Sequence, residues 1–170
     1  MPKGLKETSS LIGIGFEVTE SAADTFTQER VDLQLNPLDN EVFIVYAIDL
    51  DPTAPNVVAG SNTATSCSLT TTSRTGVANL GDSACLANKV LNIRMGAGSV
   101  EGVPFSRGSE ESPATQLDYL GIISTNDFFV QIQGTNNGTA KAVSGRVYGV
   151  RARADASVYA ALVQSEVLTQ

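Results

Sequence analysis

Two carboxylates on alternate residues, Asp49 and Asp51, form the arrangement in this chain that comes nearest to chemistry, because hard cations such as calcium take oxygen ligands at that spacing. The other ligands of a calcium loop and its closing glutamate do not follow, so the pair reads as a solvated strand end. Glu110 and Glu111 are adjacent within a stretch that lacks periodicity, which sets no defined separation around a glycosidic bond. Residues 96–102, GAGSVEG, have the wrong third spacing for a dinucleotide loop and no helix opening after them. The chain contains no histidine. That removes Ser-His-Asp and Cys-His catalysis, His-containing zinc sites and the commonest general base. Cys67 and Cys85 are the two thiols, too few for a four-cysteine metal site. Burial in the reduced state is the expectation for both, with a bridge as the alternative. The sequence therefore predicts no catalytic residues, no cofactor, no metal and no enzyme.

Charge narrows the partners. A formal charge of −7 spread along the chain disfavours a dedicated nucleic-acid module, which would need a basic stripe, and Lys3 and Lys6 are the one local basic excess. Only 17% of residues are charged, below the roughly 25% of an ordinary soluble domain, and a surface so poor in charge suits cover by other subunits. Arg151 and Arg153 lie two apart, placing both guanidinium groups on one strand face, where they can fork onto carboxylates of a neighbouring chain or of their own. Asn137-Gly138-Thr139 matches a glycosylation acceptor but reads as a turn. The first ten residues, MPKGLKETSS, lack the apolar run of a signal peptide, and nowhere do eighteen apolar residues run together.

The elements that must carry these residues are mostly strands. Residues 127–150 read as a long hairpin: Phe128, Val130 and Ile132 alternate with Phe129, Gln131 and Gln133, and Asn137-Gly138 supplies the positive-φ turn before a second arm that ends at Val150. Gly145 and Gly149 in that arm predict a bend or a close backbone neighbour. Residues 41–50, EVFIVYAIDL, are nearly continuous in β-branched and aromatic side chains and predict a strand buried on both faces. Further strands are expected at 11–18, at 25–35 with Val31, Leu33 and Leu35 inward, at 63–71 with one wet hydroxyl face, at 90–95 and at 116–124. A short helix is expected at 81–86, and residues 96–115 read as a long loop. The last segment, capped by Asp155 or Ser157 and running to about Leu168, is helical and apolar on two sides. One side carries Ala156, Tyr159, Ala160, Val163 and Val167, and the other Val158, Ala161 and Leu162. Such a helix either tucks into its own domain or meets a neighbouring subunit.

Seven or eight strands with turn signals and little helix predict an all-β antiparallel sandwich, a single jelly roll with a short C-terminal helix. The organisation is an arm at 1–10, a sandwich domain at 11–153 and a helical tail at 154–170.

With its hydroxyl-rich run at 63–71, the segment 127–150 and the tail ARADASVYAALVQ, the chain resembles the coat proteins of tailless icosahedral viruses of bacteria or archaea. That resemblance implies a virion subunit, made in the host cytoplasm, that self-assembles with copies of itself and alongside other coat or vertex proteins. No specific nucleic-acid recognition and no transmembrane segment are implied. The arm, the 96–115 loop and the tail would carry the subunit contacts, and the candidate contact residues are Lys3, Lys6, Glu110, Glu111, Arg151, Arg153, Val158, Tyr159, Leu162 and Val163. Deleting 154–170 would then leave a folded protein unable to assemble. A receptor-binding or adhesin-type sandwich and a carbohydrate-binding domain are the alternatives. The second sits poorly with a chain that has no tryptophan and 6% aromatic residues.

Overall fold

Period-two patterning builds two antiparallel sheets in a computed structural model that describes residues 2–98, 100–108 and 117–169. The strands are β1 (Leu5–Glu7), β2 (Ile12–Thr19), β3 (Thr27–Asp32), β4 (Glu41–Pro52), β5 (Thr63–Thr70), β6 (Cys85–Met95), β7 (Gly102–Gly108), β8 (Gly121–Ile123), β9 (Asp127–Thr135) and β10 (Ala142–Ala154), followed by helix α1 (Ala156–Leu168). One sheet runs β2-β10-β4-β8, with β1 extending the β2 edge along β10, and the other runs β3-β9-β5-β6-β7. Without β1 and β7, the two four-stranded sheets β2-β10-β4-β8 and β3-β9-β5-β6 have the two-Greek-key order of a jelly roll, the chain changing sheet at every connection but β5 to β6. The expected fold is present.

The interior between the sheets is filled. Phe43, Leu50, Leu69, Phe128, Val130, Ile132, Val143 and Val147 are at most 1% exposed, and Phe16 meets Phe128 edge to face at 5.9 Å between ring centroids. A second apolar cluster lies outside the sandwich, on the outer face of the first sheet. Here Val42, Ile44, Val150, Ala152 and Ala154 are covered by Leu5, Tyr119, Val158, Tyr159 and Leu162. This explains why residues 42–45 are buried on both faces, whereas the expectation for 41–50 fails beyond Val45, where Ala47 and Asp49 are exposed on the outer face. Gly145 and Gly149 face the interior where a Cβ would collide with the carbonyl oxygens of Asp49 and Ile44 and with the rings of Phe16 and Phe43. The close backbone neighbour expected of them is there.

Four expectations need correction. Residues 127–150 are not a hairpin: β9 pairs β3 and β5, whereas β10 pairs β1, β2 and β4, so the 136–141 turn carries the chain from one sheet to the other. Residues 96–115 are not all loop, because Gly102–Gly108 pairs with β6 in full register. No helix forms at 81–86, where turns lead directly into β6. The non-core face of β5 is wet only in part, since Ser68 and Thr70 are buried under the 71–84 segment. Gln131 satisfies both, accepting from the Ser68 hydroxyl at 2.7 Å and donating to Thr70 Oγ1 at 2.7 Å.

Candidate assembly surfaces

A strand order of this kind gathers the loops at two ends. At one end the chain seals itself around Glu20, which is 3% exposed. Its carboxylate accepts the backbone N–H of Gly134 at 2.5 Å and of Lys141 at 2.7 Å. The same end is pinned by Asn137, whose side chain accepts from Asn56 N–H and donates to Ala64 O, both at 2.8 Å. Lys141, also buried, turns its ammonium onto Ala54 O at 3.0 Å and onto Asn56 Oδ1. Three loops are thereby locked together by one another's polar groups, and none of those groups is left to meet a ligand.

The other end carries the tail. Asp155 caps α1 by accepting from Val158 N–H at 2.9 Å, a hydrogen bond that holds its carboxyl below the ordinary range. Glu166 on the inward face is buried and accepts from Ser124 N–H at 3.0 Å. Arg74 forks onto Asp82, with Nε at 2.7 Å from one oxygen and Nη2 at 2.8 Å from the other, and Nη2 also reaches Thr169 O at 2.8 Å, where a cation suits the carbonyl end of a helix. The Arg74 guanidinium holds the Asp82 carboxyl below its usual value. Burial, with Asp82 adding to it, pushes the nearby Cys85 thiol up to about 11, so it stays protonated at neutral pH and is a poor nucleophile. Neither Cys67 nor Cys85 forms a disulfide. Among the described residues no group of three His, Cys, Asp or Glu side chains is placed to hold a metal, and Asp49 and Asp51 are exposed on the outer face of β4.

The sequence-derived contact candidates are scattered over this frame. Lys3 and Lys6 are exposed, but Leu5–Glu7 lies along the chain's own sheet, with Lys6 opposite Arg153, and the Tyr46 hydroxyl donates to Glu7 at 3.1 Å. Burial first, then Glu7, raises the Tyr46 pKa. Arg151 donates to Leu33 O at 3.0 Å and sits 3.9 Å from Glu41, while Arg153 pairs with Asp39 at 2.9 Å. Both arginines thus take the intramolecular option. Val158, Tyr159 and Leu162 pack on the second cluster, and Val163 joins Tyr159 in lining a recess with Leu35, Pro37 and Asp127. The inward face of α1 combines residues from both predicted stripes, leaving Ala160, Ala161, Val167 and Leu168 outward, the last two 59% and 77% exposed. Glu110 and Glu111 lie outside the described residues.

Sequence reasoning missed the margin formed by β6 and β7. Cross-strand register sets Val90 against Arg107, Asn92 against Phe105 and Arg94 against Val103, all on the outer face of the sheet. Together with Ser106, residues Val90, Asn92, Arg94, Phe105 and Arg107 line a shallow recess of about 400 Å³. Phe105 is 54% exposed and Val103 56%. The signal in the sequence was the alternation VPFSR within GVPFSRG, obscured by its proline and flanking glycines.

No protein-family model matches this chain, and no curated protein matches it. A solved structure from Desmodium yellow mottle tymovirus is similar at 13% identity over 92% of this chain and 96% of that one, with a TM-score of 0.34, too distant a likeness to bear on function. No helix among the described residues is long and apolar enough to cross a membrane.

Proposed function

We propose that this chain is a structural coat subunit, a single jelly roll that assembles with copies of itself into the closed icosahedral shell of a tailless virus and performs no chemistry. The observation that carries this reading is a jelly-roll strand order around an interior packed with buried apolar side chains. Jelly rolls serve as capsid, lectin and cupin domains. Ligand-binding uses of such a fold commonly take the ligand inside it or at its mouth. Here Phe43 and Phe128 fill the interior, and the loop end is closed by Glu20, Asn137 and Lys141. Low surface charge and apolar side chains exposed at several margins, among them Leu38 at 92% and Leu168 at 77%, suit a particle surrounded by neighbours.

Assembly would rest on many modest contacts, each burying on the order of 1,200 Å² or more, multiplied by closed symmetry. The outward face of α1 and the residues Glu110 and Glu111 are proposed contacts, as are Lys3 and Lys6. Sedimentation velocity of the purified full chain tests the reading. Very large, discrete species are expected. A discrete trimer would favour the adhesin reading instead, and a monomer with saturable glycan binding the carbohydrate-binding one.

A further inference from the structure

The basic side chains of this acidic protein are mostly engaged. Arg30 lies near Asp32 and Asp127, Arg74 holds Asp82, Arg151 and Arg153 hold Glu41 and Asp39, and Lys141 is capped by backbone and amide oxygens. Lys3, Lys6 and Arg146 show no such partner among the described residues, and two further side chains of this kind, Arg94 and Arg107, lie together. Both are exposed on the outer face of the β6–β7 margin, on either side of Phe105, and neither has a hydrogen-bond or ion-pair partner among the described residues. Two unpartnered guanidinium forks around an exposed aromatic ring form a surface that fits carboxylates.

The same molecule presents the complement on its opposite side. On the outer face of the first sheet, beyond the part covered by α1, Ser144 lies between Glu17 and Asp51, and Arg146 lies opposite Asp49. All three carboxylates are exposed, with Arg146 the one basic residue among them. The two outer faces of a sandwich point away from each other across two layers, so these charges cannot meet within one chain. They can meet only between copies.

We propose that the Arg94, Phe105 and Arg107 margin of one subunit docks on the Glu17, Asp49 and Asp51 face of a second copy. Two different patches make this a heterologous contact, the kind that propagates round a ring or shell. The inference deepens the coat reading by naming one of its interfaces, and it rests on that reading.

The test uses the full chain with the charges reversed. R94E/R107E and, separately, E17K/D51K should each raise the protein concentration needed for assembly by at least about tenfold, with unchanged circular dichroism and melting. Asp49 is left in place opposite Arg146 to spare the sheet. The quadruple variant R94E/R107E/E17K/D51K should restore assembly, because every reversed margin then meets a reversed face. Wild-type assembly by either folded double variant would overturn the inference, as would a folded quadruple variant that fails to recover. So would loss of co-purifying nucleic acid from R94E/R107E with assembly intact, since the margin would then serve a polyanion. If the wild type forms no large particles the coat reading falls by itself. The docking inference is then decided by whether wild-type self-association is salt-sensitive and lost in R94E/R107E.

Discussion

Some surfaces of this sandwich are finished by the chain itself, and one margin is not. At the loop end a buried carboxylate, two asparagines and a lysine satisfy three loops at once, and part of the first sheet's outer face lies under α1, Leu5 and Tyr119. At the β6–β7 margin, Phe105, Arg94 and Arg107 face outward without partners among the described residues. Buried polar groups are costly unless paired, so the sealed regions record what the monomer needs to fold. An exposed, unpartnered margin does nothing for the monomer. The contrast separates residues that hold the fold from residues left exposed, and substitutions on either side of it should behave differently.

The largest effect is expected from removing α1. Deleting residues 156–170 uncovers Val42, Ile44 and Val150, side chains whose burial is worth about 1.5–3 kcal/mol each, so on the order of 5 kcal/mol of stability should disappear. Urea denaturation should show a markedly lower midpoint or an unfolded chain. A deletion variant as stable as the wild type would mean that the helix covers nothing that matters. This gives the tail a folding role beside any contact made by Val167 and Leu168, so substituting those two outward residues tests assembly more cleanly than truncation.

Next comes Glu20→Ala, which strands the N–H groups of Gly134 and Lys141 at a buried site. A loss of about 3 kcal/mol is expected by urea denaturation, the loops it joins becoming the first to exchange amide hydrogens. A change below about 0.5 kcal/mol would show the loop end to be held by something else.

A smaller effect should follow acidification. The folded-state pKa of Asp82 is lowered by Arg74, so the pair contributes above the unfolded carboxylate value of about 4 and its contribution is lost as pH falls through the lowered folded value. Arg74→Met should therefore cost about 1 kcal/mol at pH 7, and the gap between wild type and variant should narrow progressively as pH falls below about 4. A gap that does not narrow in acid would place the role of the Arg74 side chain on Thr169 rather than on Asp82.

The smallest stability effect belongs to the open margin. Phe105→Ser should change the unfolding free energy by no more than about 0.5 kcal/mol, since the ring is already half in water. A loss of 2 kcal/mol or more would put Phe105 among the sealed surfaces and erase the contrast.

How much of this was legible in the sequence depends on whether the cause was local. The run at 41–50, the glycines at 145 and 149 and the Asp155 cap are local signals, and each appears where expected. Asn137-Gly138 marked a real turn, yet a turn does not say whether its two arms pair. In the fold Asn136 takes φ 55° and the arms separate into different sheets. Glu20 looked like any acid in a turn, because the amides it accepts lie 114 and 121 residues away. Strand β7 was hidden because its alternation is only Val103 and Phe105, broken by Pro104 and flanked by glycines, in a strand exposed along nearly all its length. Arg151 and Arg153 were singled out as paired guanidinium groups, but their carboxylate partners proved to be in their own chain. Arg94 and Arg107, both without side-chain partners among the described residues, lie on two strands and become neighbours only through register.

The central claim is that the jelly roll exists to be surrounded by copies of itself. Electron microscopy of the purified full-length chain under assembling conditions addresses it most directly. Closed shells whose icosahedrally averaged density accepts the two sheets and α1 as the repeating unit are the expected result. Dispersed single molecules at every concentration and salt tried would contradict it.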